Sequence, residues 1–93
     1  PESAESLLRS AINSDTVLYN IFTASLSDLS NALRLSGALC EAESAAHHAL
    51  VSAGGKPWNP ISEMDSLHQL GLALAARGRG DESTVAFRRG LII

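Results

Sequence analysis

The sequence is poor in aromatic residues, in cysteine and in long apolar runs. Aromatic side chains make up 4% of its 93 residues. A domain of this size buries only about two-thirds of its unfolded surface, so a catalytic cavity would compete with the core for few large side chains. The single cysteine excludes an internal disulfide framework and a four-thiolate zinc site. No apolar run approaches the ~18 residues that cross a bilayer, so we expect no membrane insertion.

The charge is weakly acidic and unevenly distributed. The net charge is −3, of which residues 1–50 contribute −4 and residues 51–93 contribute +1. That asymmetry can steer an acidic partner towards the second half. The basic side chains lack the density that phosphate contacts require, so we expect no nucleic-acid binding. With one cysteine and no opening signal peptide, we expect a cytoplasmic protein.

Alanine and leucine at helical spacing are what the sequence has in abundance. Apolar residues recur at three- and four-residue steps, which predicts an all-α fold. Glycine, proline and the polar cluster at residues 13–15 divide the chain into about five predicted helices. Ser62, with Asp65 three residues later, predicts a capping box at the start of the fourth helix. The five helices span about residues 3–12, 16–35, 39–52, 62–78 and 81–91.

One loop, residues 54–60, carries the only tryptophan together with two prolines and two glycines. Trp58 is either an exposed interface anchor, since tryptophan is common in binding hot spots, or a plug between two helical hairpins. We favour the plug.

The chain contains an internal repeat. Shifted by 41 residues, the sequence aligns with itself as two helix-turn-helix units, each with leucines in the first helix, a glycine at the turn and small residues in the second helix. Small residues let neighbouring helices approach to about 8–10 Å. The aligned pairs are Leu26 with Leu67, Leu29 with Leu70, Leu33 with Leu74, Gly37 with Gly78, Glu41 with Glu82 and Leu50 with Leu91.

The two units resemble tetratricopeptide repeats, whose signature has a Leu-Gly pair in the first helix, a turn glycine, and a small, an aromatic and a small residue in the second helix. The second unit matches with Leu70-Gly71, Leu74, Gly78, Ser83, Phe87 and Gly90, and the first with Leu29-Ser30, Leu33, Gly37, Ala42, Ala46 and Ala49. The 41-residue step exceeds the usual 34 and is similar to the longer units of kinesin-light-chain-type and bacterial signalling repeats.

The resemblance implies antiparallel helix hairpins stacked as a right-handed superhelix. It divides the single domain 1–93 into a half repeat at 1–15 and repeats at 16–53 and 61–93. In such stacks the first helices line a concave groove that holds a peptide or partner segment. The residues interleaved with the packing leucines are expected to contact that partner, and Asn31 is the strongest candidate because its amide both donates and accepts hydrogen bonds. The predicted contact residues are Ser27, Asn31, Arg34, His68 and Leu72.

The C-terminal flank is predicted to be an exposed apolar surface. Stacks of this kind normally need at least three repeats and polar end caps. We therefore expect the flank to pack on further sequence or on a second copy, which implies a homo-oligomer or a fragment of a larger chain. The flank residues are Phe87, Leu91, Ile92 and Ile93.

Metal and catalytic chemistry find little support in the sequence. Histidine and cysteine are zinc-binding residue types, and the chain has His47, His48, His68 and Cys40. Adjacent histidines, however, project about 100° apart on a helix and cannot both face one ion. Cys40 is expected to be a half-buried filler. No nucleophile-elbow pattern accompanies the serines. We expect no metal, no cofactor and no enzymatic activity.

The sequence thus predicts a protein-protein interaction scaffold that binds a peptide or helix. The alternative is a docking or oligomerisation segment of a larger multidomain enzyme or signalling ATPase. Groove residues such as Asn31 matter in the first case and the C-terminal flank in the second.

Overall fold

A computed structural model describes residues 4–55 and 58–92, and the side chains of residues 18–55 and 58–92. These residues form four α-helices and no strand, so the all-α prediction is confirmed. The helices are α1 (Ala4–Leu35), α2 (Leu39–Ala53), α3 (Pro60–Ala76) and α4 (Gly80–Leu91).

The first helix is longer than the sequence suggested. The cluster Asn13-Ser14-Asp15 does not interrupt it, so the first two predicted helices are one, and the expected half repeat at 1–15 has no helix of its own. Asn, Ser and Asp inside a helix cost only up to about 0.7 kcal/mol each relative to Ala, whereas Gly or Pro costs more. Neither Gly nor Pro occurs between residues 2 and 36.

Helix α3 begins two residues earlier than the predicted capping box. Its N-cap is Asn59, whose side-chain oxygen accepts hydrogen bonds from the backbone N–H groups of Ile61 at 3.0 Å and Ser62 at 3.4 Å. Pro60 occupies the first helical position, where its missing N–H costs nothing and its fixed φ favours the helix. The Asn-Pro pair therefore starts the helix in place of Ser62 and Asp65.

The turns of the two hairpins have the same backbone geometry. Gly37 and Gly78 adopt φ of 90° and 77°, the left-handed region that disfavours any side chain. Each glycine is followed by an N–H that returns to a carbonyl five residues earlier, from Ala38 to Leu33 at 2.9 Å and from Arg79 to Leu74 at 3.0 Å. This bond satisfies a carbonyl at the helix end in both hairpins. The 41-residue repeat of the sequence is therefore also a repeat of turn structure.

The helices pack in a regular order. Helix α2 packs against α1, α4 packs against α3, and α3 packs against both α1 and α2. The shared core includes Ala46 from α2, Leu70 and Leu74 from α3 and Ala86 from α4. The Cα atoms extend 58 × 28 × 13 Å, so the core is thin. Small residues make this close packing possible, and the buried ones on α2 are Ala42, Ala45, Ala46, Ala49 and Ala53.

The two hairpins make equivalent contacts with exchanged residues. In the second, the Phe87 ring lies over Gly71, where an added Cβ would come within 2.5 Å of a ring carbon. In the first, the equivalent positions hold Ala46 and Ser30, so the smaller residue on α2 leaves room for a side chain on α1. The ring of Phe87 thus lies where the first hairpin has only the methyl group of Ala46.

A hydrogen bond across each hairpin is exchanged in the same way. In the first hairpin the Ser30 hydroxyl on α1 donates to the carbonyl of Ala42 on α2 at 2.7 Å. In the second the Ser83 hydroxyl on α4 donates to the carbonyl of Gly71 on α3 at 2.8 Å. Ser83 is the repeat equivalent of Ala42, and Gly71 that of Ser30. The serine is on the first helix of the first hairpin and on the second helix of the second hairpin. In both hairpins its hydrogen bond joins the same two repeat positions.

The turn geometry predicts that Gly37→Ala and Gly78→Ala each lower the free energy of unfolding by about 1–2 kcal/mol, because an L-residue is strained at positive φ. The matched control is Gly80→Ala, where φ is not in that region and an added Cβ has open space. It should leave stability unchanged or raise it by up to about 1 kcal/mol. Urea unfolding measures the stability of all three variants. Equal losses of unfolding free energy at the three positions would contradict a requirement for glycine at the two turns.

The exchanged pair predicts that Gly71→Ser destabilises the native chain by about 1–3 kcal/mol through overpacking against the Phe87 ring. In a Phe87→Ala background, which reproduces the first hairpin, the same substitution should cost almost nothing. A double-mutant cycle by chemical denaturation should therefore give a coupling energy of at least about 1 kcal/mol. Additive effects would mean that the ring does not restrict residue 71.

Candidate partner-binding surface

An open apolar groove of about 690 Å³ lies along the exposed side of α3 and α4. Helix α3 contributes Ile61, Met64 and His68 to its lining, and α4 contributes Phe87 and Leu91. Thr23 and Ala24 of α1 form one edge. A concave surface with apolar walls and a few polar groups is the usual form of a binding site.

Two contacts between α3 and α4 determine the shape of the groove. Gly90 of α4 is buried against α3, where a Cβ added to it would make an ordinary van der Waals contact, 3.7 Å from the Cβ of Leu67. One turn earlier, the Phe87 ring packs against the His68 ring, with centroids 5.7 Å apart and planes at 50°. The floor is therefore backbone and small side chains, while the walls are longer side chains.

The residues predicted to contact a partner do not all lie together. His68 lines the groove, whereas Ser27 is only 2% exposed and lies within the packing of α1. Asn31 and Arg34 are half-buried, and the Arg34 guanidinium donates a hydrogen bond to the Asn31 side-chain oxygen. Leu72 is half-buried on α3, outside the groove lining. Asn31 and Arg34 thus form a separate polar pair on α1.

The predicted C-terminal flank adjoins the groove. Phe87 is half-buried and Leu91 is 85% exposed, and both line the groove. Ile92 is also 85% exposed. Ile93 lies outside the described residues. His68, predicted for the concave face, and Phe87 and Leu91, predicted for the flank, therefore belong to one surface.

Several groove residues were missed by the analysis of the sequence. Ile61, Met64 and Asp65 line the groove from the first two turns of α3, and Thr23 and Ala24 border it from α1. The repeat offered a signal for Met64. Met64 lies one helical turn before His68, which was a predicted contact, and their counterparts Thr23 and Ser27 have the same spacing. Ile61 and Asp65 could be placed only once the start of α3 at Pro60 was known.

The arginines of the second hairpin are partly neutralised by carboxylates. Glu43 of α2 accepts hydrogen bonds from Arg77 and Arg79, each at 2.9 Å, and so joins α2 to the turn between α3 and α4. Arg79 also pairs with Glu82. The hydrogen bond to Glu82 and the charges of Glu43 and Glu82 raise the pKa of Arg79, so its guanidinium stays charged. Arg88 and Arg89, on exposed positions of α4, are the remaining arginines of this half.

Two other side chains differ from expectation. Trp58 is 57% exposed and its indole N–H donates to Glu63, so the prediction that it plugs the space between hairpins is wrong. The acceptor, Glu63, lies in the first turn of α3, and this hydrogen bond holds the indole ring outside the core. Cys40 is exposed instead of half-buried, and lies in the first turn of α2, before the first buried residue of that helix, Ala42.

Neither a metal site nor a membrane span is found in the described part of the chain. No group of three or more His, Cys, Asp or Glu side chains there is close enough to hold an ion. Among the described helices, none combines the length and hydropathy needed to cross a bilayer.

The Glu43 contacts predict that Glu43→Gln lowers the midpoint of thermal unfolding, because two guanidinium groups lose their shared carboxylate. The loss should shrink as NaCl is raised, since the arginines are partly exposed and salt screens exposed charges. Glu41→Gln is the control, because Glu41 is exposed and is not a partner of Arg77 or Arg79. Equal losses for the two variants would contradict a specific role for Glu43.

No known protein-family model, curated protein or solved structure matches this chain. Functional inference therefore depends on the groove and on the internal repeat.

Proposed function

We propose that this chain is a protein-protein interaction scaffold that binds an amphipathic helix of a partner in the groove between α3 and α4. The partner helix lies along the groove with its apolar side against Met64, Phe87 and Leu91. The chain itself performs no chemistry in this role.

The proposal rests on one observation: the positions that line the groove are buried in the first hairpin. Met64, His68, Phe87, Gly90 and Leu91 of the second hairpin correspond to Thr23, Ser27, Ala46, Ala49 and Leu50 of the first. Thr23, Ser27, Ala46 and Ala49 are each at most 2% exposed, and Leu50 is packed against the core. In the second hairpin Met64 is 47% and Leu91 is 85% exposed.

The helix that covers the first hairpin is α3, which packs against both α1 and α2. Ala46 and Leu70 belong to one buried cluster across that contact. No described helix occupies the equivalent place on α3 and α4. Because an exposed apolar trough is costly in water, a helix resembling α3 is the ligand that suits it.

The repeat geometry supports a tetratricopeptide-like stack. Both hairpins have the same glycine turn and the same exchanged serine contact, and the first helix of the second hairpin, α3, lies against both helices of the first. We propose that the two hairpins form part of a right-handed superhelix of such units. In that arrangement the groove is the next position in the stack.

The polar residues near the groove define which helix it accepts. His68 is exposed beside the Phe87 ring, and Asp65 is exposed one turn before it on the groove wall. A ligand helix therefore needs small or apolar residues on its buried side and hydrogen-bonding or basic residues at its edge. Asn31, Arg34 and Leu72 remain proposed contacts for a segment that extends from the groove along the open side of α1 and α3.

A labelled synthetic peptide of residues 60–76, the sequence of α3, tests the proposal, because α3 fills the equivalent site of the first hairpin. Its anisotropy should rise on titration with the full chain. Leu91→Glu should weaken binding by at least about tenfold, because it places a charge in the apolar trough.

Val85→Glu is the matched control for that experiment. Val85 is 58% exposed on α4 but does not line the groove, and its repeat equivalent Ser44 is exposed as well. The control should bind the peptide as the unmodified chain does. No binding by the unmodified chain, or equal weakening by both substitutions, would refute the groove as a helix site.

A further inference from the structure

We propose that the groove binds helix α1 of a second copy of this chain, so that copies associate head to tail. The inference deepens the proposed function and rests on it, because it names the helix that the groove accepts. It is carried by a second exposed surface at the opposite end of the stack.

That second surface is the outer face of α1, defined by Ser25, Leu29 and Ala32. All three are exposed, and Leu29 is 49% exposed. Residues at steps of four and three lie along one side of a helix, so the three form a continuous strip. Leu18 and Phe22, at 64% and 59% exposure, extend the strip towards the start of the helix.

The repeat equivalents of this strip are buried within the chain. Ser25, Leu29 and Ala32 correspond to Ser66, Leu70 and Ala73 of α3. Ser66 and Ala73 are 0% exposed and Leu70 is 5% exposed. Leu70 shares the buried cluster with Ala46 of α2. The face of α3 that packs on the preceding hairpin is therefore present on α1, where no described helix covers it.

The two ends of the chain are thus complementary. Among the described helices, none covers the groove in the place that α3 takes on the first hairpin, and α1 carries the face that α3 uses there. If α1 of one copy lies in the groove of another, the contact uses the positions of the internal packing of α3 on α1 and α2, with Phe87 in the place of Ala46. Such a heterologous contact leaves one groove and one α1 face free, so further copies can add.

The test uses two variants, each blocked at one end. Ala32→Arg places a long cation on the α1 face, and Leu91→Glu places an anion in the groove. Both positions are exposed, so each variant should fold, and circular dichroism verifies this. Ser25→Arg is a second variant of the α1 face, and Ser44→Arg on the exposed side of α2 is the control.

Sedimentation velocity over a concentration series should show mass rising with concentration for the unmodified chain and for Ser44→Arg. Ala32→Arg, Ser25→Arg and Leu91→Glu should each lose this association. An equimolar mixture of Ala32→Arg and Leu91→Glu should form a dimer, twice the chain mass of 9.8 kDa, and nothing larger. That dimer arises because one variant retains the groove and the other retains the α1 face.

Three results would overturn the inference: a monomeric unmodified chain at every concentration, self-association of Ala32→Arg alone, which indicates groove-to-groove pairing, or no dimer in the mixture. Titration with the α3 peptide separates these failures from failure of the proposed function. A monomeric chain that still binds the peptide retains a helix-binding groove whose partner is another protein. A chain that neither associates nor binds the peptide has no helix-binding groove.

Discussion

The close approach of helices across small side chains is the constraint on which the structure depends. Alanines on α2 are buried where it packs against α1 and α3, and Gly71 leaves room for the Phe87 ring of α4 to lie on α3. Small residues contribute little apolar area each, so a core built from them is thin and each helix depends on its neighbours for burial. Among the described helices, α1 and α4 lie at the two ends of the packing order. The exposed apolar surfaces of α1, α3 and α4 follow from this way of packing.

The repeat shows how one contact can be built in two ways. Gly71 with Phe87 and Ser30 with Ala46 occupy equivalent repeat positions, and the serine that bonds across each hairpin lies on α4 in one and on α1 in the other. The residue at one of these positions differs in size between the two hairpins. Phe87 forms a wall of the groove and packs against the His68 ring, whereas Ala46 in the first hairpin lies in the core under α3.

The sequence was sufficient for features that depend on local chemistry. Helical spacing predicted the all-α class, and the paired glycines predicted both turns, because a left-handed turn has few alternatives to glycine. Features that depend on tertiary context were not predictable. The cluster at residues 13–15 contains good cap residues but lies inside a helix, Trp58 bonds to Glu63 outside the core, and Ser27 is buried. The groove was predicted only in pieces, since His68, Phe87 and Leu91 were assigned to two surfaces that packing makes one.

The proposed stack requires that α3 cover the first hairpin in the way that a further helix would cover the second. The most direct measurement is the nuclear Overhauser effect between the Ala46 methyl group and the Leu70 methyl groups in the folded chain, because these residues share the buried cluster between α2 and α3. A strong cross-peak is predicted. A folded chain in which Ala46 shows no contact with Leu70 would contradict the stacking, and with it both the groove and its proposed occupant.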